Sequence, residues 1–93
     1  MATKLAPASS NVAIPPGELL EEEIQARGMT QRDLARQCGR PPQAINEIVR
    51  GKKRITAETA LAFERVLGTP ATFWMNLESN YQLVLARNRA RSA

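Results

Sequence analysis

The chain has 93 residues, a formal net charge of +4, 43% apolar and 24% charged residues, no histidine and a single cysteine. That length makes one domain, and the missing histidines and lone Cys38 exclude zinc sites and the usual nucleophilic triads, so no catalysis, metal or cofactor is expected. No run of 18 or more apolar residues is present, and residues 1–13 lack the apolar stretch of a secretory signal; with one cysteine and no internal partner for it, a cytoplasmic protein is expected, with no membrane contact.

In chain order, residues 1–14 are rich in Ala, Ser and Pro and read as a flexible arm, and Pro15-Pro16-Gly17 opens a folded domain spanning 15–93. A first helix is expected from Glu18 to Arg27, with Leu19, Leu20 and Ile24 on one face, Glu21, Glu22 and Glu23 largely on the wet side, and Gly28 closing it. Thr30 caps a second helix, with Asp33 three residues on completing a capping box and Met29 and Leu34 flanking the cap. That helix carries Leu34, Ala35 and Cys38 and stops at Gly39. A third helix starts at Pro42, a favoured first helical residue, and runs to Arg50 with Ile45, Ile48 and Val49 inward. Gly51 ends it and Lys52-Lys53-Arg54 follows at once. A fourth helix begins after Thr56, shows Ala60, Leu61, Ala62 or Phe63, Val66 and Leu67 as its apolar positions, and ends at Gly68. Thr69-Pro70 then starts a fifth, from Ala71 to at least Leu85, apolar on more than one face through Phe73, Trp74, Leu77, Tyr81, Val84 and Leu85. The expectation is an all-α fold of five helices without a strand.

Charge is unevenly placed along these elements. Glu18 to Glu23 holds four acids and no base, whereas Arg27 to Arg54 holds eight bases against Asp33 and Glu47, and Arg87, Arg89 and Arg91 add a basic tail. A basic central segment suits a phosphate backbone, because neutralising phosphates releases condensed counterions; a plainly solvated charged face is the alternative.

Two short helices joined by a tight Gly-containing turn make a helix-turn-helix unit, here residues 30–51. Leu34 and Ala35 on its first helix must meet Ile45 and Ile48 on its second, and the small Ala35 lets the axes cross closely. This stretch resembles the phage-repressor-like helix-turn-helix proteins. The flanking runs P-P-G-E-L-L-E-E-E (15–23), G-K-K-R-I-T-A-E-T-A-L (51–61), L-G-T-P-A-T-F-W-M-N-L-E (67–78) and Y-Q-L (81–83) are similar to those of the HigA antitoxins, also called the VapI or plasmid-maintenance antidote family. The resemblance covers about residues 15–85. This chain departs from the family pattern at Pro15, Glu78 and Gln82, and at Arg40, where an apolar residue normally plugs the turn.

In such a unit the start of the second helix enters the major groove. Pro42, Gln43, Asn46, Glu47 and Arg50 are the expected base-contacting residues: the two amides match adenine, Glu47 can accept from cytosine N4, and Pro42 offers apolar contact. For Gln43 and Asn46 a solvated surface role is the plain alternative. Gln31 and Arg32, at the positive end of the second helix, are expected on phosphate, with Lys52, Lys53 and Arg54 gripping the backbone beside them and Arg40 laying its stem along the core edge to reach another phosphate. Cys38 reads as a small buried hydrophobe. Phe73, Trp74, Leu77 and Tyr81 of the aromatic fifth helix read as core and dimer seam, which suggests a homodimer presenting two recognition helices to a palindrome in double-stranded DNA. The resemblance implies an autorepressing antitoxin that also neutralises a messenger-RNA-cleaving toxin of the RelE/HigB-like class, with the acidic first helix as the preferred toxin surface. A stand-alone repressor without a toxin is the alternative. A small enzyme or RNA-binding module is disfavoured, because no histidine and no stacking aromatic lies near the basic segment.

Overall fold

Eighty-one residues, 12–92, are described by the computed structural model; most of the expected arm (residues 1–11) and Ala93 fall outside them. The regular structure is helical: α1 (Pro16–Ala26), α2 (Gln31–Cys38), α3 (Pro42–Val49), α4 (Ala57–Leu67) and α5 (Ala71–Ser92), with no strand among the described residues. α1 starts two residues earlier than its acidic run suggests, because Pro15 holds the extended cap conformation and Pro16 serves as a first-turn residue. α5 continues past Leu85 into the arginine-rich tail, where Arg89 and Arg91 complement the negative end of the helix dipole.

Capping follows the expected chemistry. Asp33 N–H donates to Thr30 Oγ1 at 3.0 Å and Thr30 N–H donates to Asp33 Oδ2 at 3.0 Å, which completes the capping box of α2. Thr56 does the same work for α4, accepting from the Thr59 N–H at 3.3 Å. Two arginines act at the other ends of helices. Arg27 donates to the Leu67 carbonyl at the end of α4 (2.7 Å), and Arg65 donates to the Gln37 carbonyl near the end of α2 (3.2 Å).

The turn between α2 and α3 is tied by two backbone bonds, Gly39 N–H to Arg36 carbonyl (3.2 Å) and Arg40 N–H to Ala35 carbonyl (2.9 Å). That pattern needs a left-handed residue, and Gly39 supplies it at φ 69°. Beyond the turn, α3 lays Ile45 and Ile48 into a core of Leu20 and Ile24 from α1, Leu34 and Ala35 from α2, Phe63 and Leu67 from α4, and Trp74 from α5. α1 meets α3 at closest range through Gly17, where a Cβ would stand 2.1 Å from the Ile48 carbonyl oxygen and 2.5 Å from Val49 Cα.

Two expected apolar placements are corrected. Leu61, expected on the inward face of α4, is 58% exposed, because Ala60, Ala62 and Phe63 already turn the buried side toward α5. Trp74, expected in a dimer seam, is fully buried inside the single chain, edge-on to Phe63 (5.3 Å) and Phe73 (5.2 Å). Its indole N–H finds no acceptor among the described residues, which costs about 1–3 kcal/mol. Burying a ring of that size contributes about 4–6 kcal/mol, so packing wins.

Gly17→Ala tests the close approach of α1 to α3. The new methyl meets backbone atoms that no rotamer change can move, so urea unfolding is expected to show a loss of about 1–3 kcal/mol despite alanine's better helix propensity. A variant as stable as the parent would show that the two helices can separate at no cost.

Candidate nucleic-acid interface

α3 is eight residues long and has two sides. Ile45 and Ile48 are buried; Pro42, Gln43 and Arg50 are exposed, and Asn46 and Glu47 are half-buried. At helical spacing these five polar-side positions share one face, opposite the isoleucines. The structure thus brings all five expected base-contacting residues onto a single outward surface.

Within that surface the side chains are connected. Gln43 Nε2 donates to Glu47 Oε2 at 3.4 Å, and Lys53 Nζ lies 3.8 Å from Glu47 Oε1. The lysine reaches back because α3 closes with the N–H groups of Lys52 and Lys53 both on the Glu47 carbonyl, at 2.8 and 3.2 Å. This wraps residues 51–54 against the end of α3 and sets Lys52, Lys53 and Arg54 beside Arg50. Lys53 also offsets the one acidic charge on the face.

At the other edge, the start of α2, Gln31 and Arg32 lie next to α3. Arg32 is exposed, but the Gln31 side chain turns inward: its Nε2 donates to Glu21 Oε1 (3.2 Å) and its Oε1 accepts from Asn46 Nδ2 (3.0 Å). Gln31 is therefore a link between three helices, and its open backbone N–H, one of the unsatisfied donors of α2, is the part left for an anion. Arg40 is half-buried after Gly39, as a stem lying along the core edge requires.

Of the eight bases between Arg27 and Arg54, Arg27, Arg36 and Lys53 pair with an acid among the described residues and the other five, half-buried Arg40 among them, do not. Arg27 is paired with Glu23 and the Leu67 carbonyl, and Arg36 with Asp33. Arg32, Arg50, Lys52 and Arg54 make no ion pair among the described residues. Arg50 lies on the outward face of α3, Lys52 and Arg54 follow its end, and Arg32 stands next to Gln31, which bonds to Asn46.

Two groups among the described residues have displaced pKa values. The Asp33 carboxyl is held below the usual carboxylate range, first by the Thr30 backbone N–H, then by the Thr30 hydroxyl and Arg36. Burial pushes the Cys38 thiol up, against the pull of Arg65 and Arg40, so it stays a neutral packing group. Among the described residues no cluster of His, Cys, Asp or Glu is arranged to hold a metal, and no helix is long and apolar enough to cross a membrane.

Sequence reasoning missed two acids. Glu78 is only 7% exposed; its Oε1 accepts the Ile55 N–H (2.9 Å) and its Oε2 accepts from Gln82 (2.7 Å), pinning the loop after the basic cluster to α5. The signal was its spacing: four residues after Trp74, it shares the buried stripe. Glu21 belongs to the acidic run expected on the wet side of the first helix, and nothing in the sequence marks it as a partner of Gln31. The proposed dimer residues other than Trp74 retain surface: Phe73 is 38% exposed, and Leu77 and Tyr81 are half-buried.

A short capped helix, a tight glycine turn and a second helix with an outward polar face define a helix-turn-helix protein, and the sequence pattern of the family described as Helix-turn-helix matches residues 20–74. The chain belongs to that family. Within it, the chain is one of the HigA/VapI-type antitoxins. Virulence-associated protein I of Dichelobacter nodosus is 41% identical over 81 residues, 86% of this chain and 75% of that protein. An addiction module antidote protein of the HigA family from Coxiella burnetii superposes with a TM-score of 0.79 at 33% identity, covering 86% of this chain and 88% of that one. The Pseudomonas aeruginosa antitoxin HigA, solved with the higBA promoter, superposes with a TM-score of 0.82 at 34% identity, covering 87% and 89%.

The depressed pKa of Asp33 gives a signed prediction. A carboxyl whose folded pKa lies below its unfolded one adds stability above the ordinary acid range and loses it as pH falls through the folded value. Asp33→Asn is therefore expected to be less stable than the parent near pH 7 in urea unfolding, with the difference shrinking as the pH is lowered through the acid range. An equal difference at both pH values would contradict the ionised capping box.

Proposed function

We propose that this protein is a homodimeric, operator-binding antitoxin that represses its own promoter in the cytoplasm and neutralises a RelE/HigB-like toxin, acting by binding and not by catalysis. One observation carries the DNA half: the outward face of α3 ends on the unpaired Arg50, the exposed and unpaired Lys52 and Arg54 follow it in the chain, and the exposed Arg32 stands next to Gln31, which bonds to Asn46. A groove-reading helix needs this arrangement, with base-edge chemistry at the centre and phosphate-neutralising charge at the rim. The relative from Pseudomonas aeruginosa, solved with its promoter, supports the same use of the fold.

In this reading Gln43 and Asn46 pair with adenine edges, Glu47 accepts from a cytosine amino group, Pro42 packs on a thymine methyl and Arg50 reaches a base at the end of the helix. Arg32, the Gln31 backbone N–H, Arg40, Lys52, Lys53 and Arg54 meet phosphates. The dimer seam runs along α5 through Phe73, Leu77 and Tyr81, with Trp74 stiffening it from within. The acidic first helix, α1, with Glu18 on its exposed side, is the surface offered to a basic toxin.

Titration of a palindromic duplex from the gene's own promoter tests the DNA half. Gln43→Ala is expected to cost about 1–3 kcal/mol on the cognate duplex and little on random sequence, whereas Lys52→Ala weakens both and lowers the salt dependence. Equal losses on both duplexes for both variants would refute the division of roles. Sedimentation at micromolar concentration is expected to give twice the 10.3 kDa chain mass; a monomer contradicts the seam. Co-expression with the adjacent gene is expected to co-purify a small basic ribonuclease, and its failure would leave the stand-alone repressor.

A further inference from the structure

We propose that Glu21, a half-buried residue of α1, determines base preference at the interface by fixing which end of the Asn46 amide faces outward. The inference rests on the reading of α3 as the base-contacting helix and adds a residue that touches no DNA. Its basis is a chain of hydrogen bonds with a defined direction: Asn46 Nδ2 donates to Gln31 Oε1 (3.0 Å), and Gln31 Nε2 donates to Glu21 Oε1 (3.2 Å). Gln25, four residues on in α1, donates to the other Glu21 oxygen at 2.9 Å and holds the carboxylate in place.

The direction of this chain has one physical source. A primary amide can be turned end for end at little steric cost, since its oxygen and nitrogen are nearly the same size, so Gln31 and Asn46 alone have two equivalent arrangements. An ionised carboxylate only accepts. With Glu21 at the head, Gln31 must present its NH2 to Glu21 and its oxygen to Asn46, and Asn46 must then present its NH2 to Gln31. The Asn46 carbonyl oxygen is left without a partner among the described residues and is not fully buried. An outward acceptor selects a base edge that offers an amino hydrogen, which in the major groove means adenine N6 or cytosine N4, and disfavours guanine and thymine, whose edges offer acceptors at that place. Glu21 is thus a positioning residue acting through two amides from a different helix.

The experiment is selection from a duplex library in which one half-site of the promoter palindrome is randomised, using the full chain and its Glu21→Gln, Glu21→Lys and Glu22→Gln variants. The parent is expected to prefer adenine or cytosine at one base pair. Glu21→Gln accepts or donates equally well, so the preference there is expected to fall by about three- to tenfold, the worth of one hydrogen bond, while other positions keep theirs. Glu21→Lys only donates, which reverses the chain, turns the Asn46 NH2 outward and shifts the preference to guanine or thymine. Glu22→Gln removes the same charge one residue away and is expected to keep the parental profile. A parental profile for both Glu21 variants overturns the proposal, as does the same change from Glu22→Gln, which would show a charge effect only. If the parent itself selects no sequence, the interface reading fails first, and that outcome is distinct from both. Side-chain amide resonances of Gln31 and Asn46 in the free protein provide a second readout: they are expected to move in Glu21→Gln and Glu21→Lys and to stay in Glu22→Gln, and unmoved resonances in the Glu21 variants also overturn it.

Discussion

A helix of eight residues does not hold its shape alone in water, because nucleation is costly and few bonds repay it. α3 is such a helix, about 12 Å long, and it exists because its neighbours bury one side of it. Ile45 and Ile48 go into the core, each adding about 1.5–3 kcal/mol of apolar burial. With those two positions committed inward, helical geometry leaves no choice for the others: Gln43, Asn46, Glu47 and Arg50 must face away. The outward chemistry is a consequence of the inward packing. Two backbone features then set how far the helix stands out. The paired bonds at Gly39 hold its start against α2, and the bare Gly17 lets α1 press on the backbone at its end.

The electrostatic layout follows the same economy. Cations near helix ends are used where unsatisfied carbonyls gather, as with Arg27 on Leu67 and Arg65 on Gln37. Arg50 and Lys52, at the end of α3, remain without an internal anion among the described residues. An unpaired surface arginine adds little to stability, since even paired surface charges are worth at most about 1 kcal/mol. Its placement is therefore free to serve a partner, and a polyanion is the partner whose binding gains most from several such charges in a row. The single acid on the face, Glu47, is offset by Lys53 and held by Gln43, so it does not repel phosphate strongly.

Much of this was legible in the sequence, for reasons that differ by residue. The capping box at Thr30 and Asp33, the glycines after α2 and α3 and the proline starts of α3 and α5 are local signals, and local chemistry decides them. The outward face of α3 followed from the spacing of its two isoleucines. Trp74 and Leu61 were misplaced because α4 and α5 are apolar on several sides, and periodicity cannot say which side a third element will cover. Gln31 was placed on phosphate from its position at a helix start, whereas tertiary contact turned its amide toward Glu21 and Asn46. Glu78 shows the opposite case: its stripe was readable, but a buried carboxylate is uncommon enough that the pattern points away from it. Links between residues far apart in sequence, such as Glu78 to the Ile55 backbone, were legible only once the helices were assembled.

The central claim is that α3 meets duplex DNA with its isoleucine side still buried. Amide chemical shifts of the labelled protein, followed as the promoter palindrome is added, test this most directly. The account predicts changes concentrated at residues 31–32, along 42–50 and through 51–54, with the outer face of α4 around Leu61 unmoved. Changes centred on α4 or the free face of α5, with α3 silent, would contradict it.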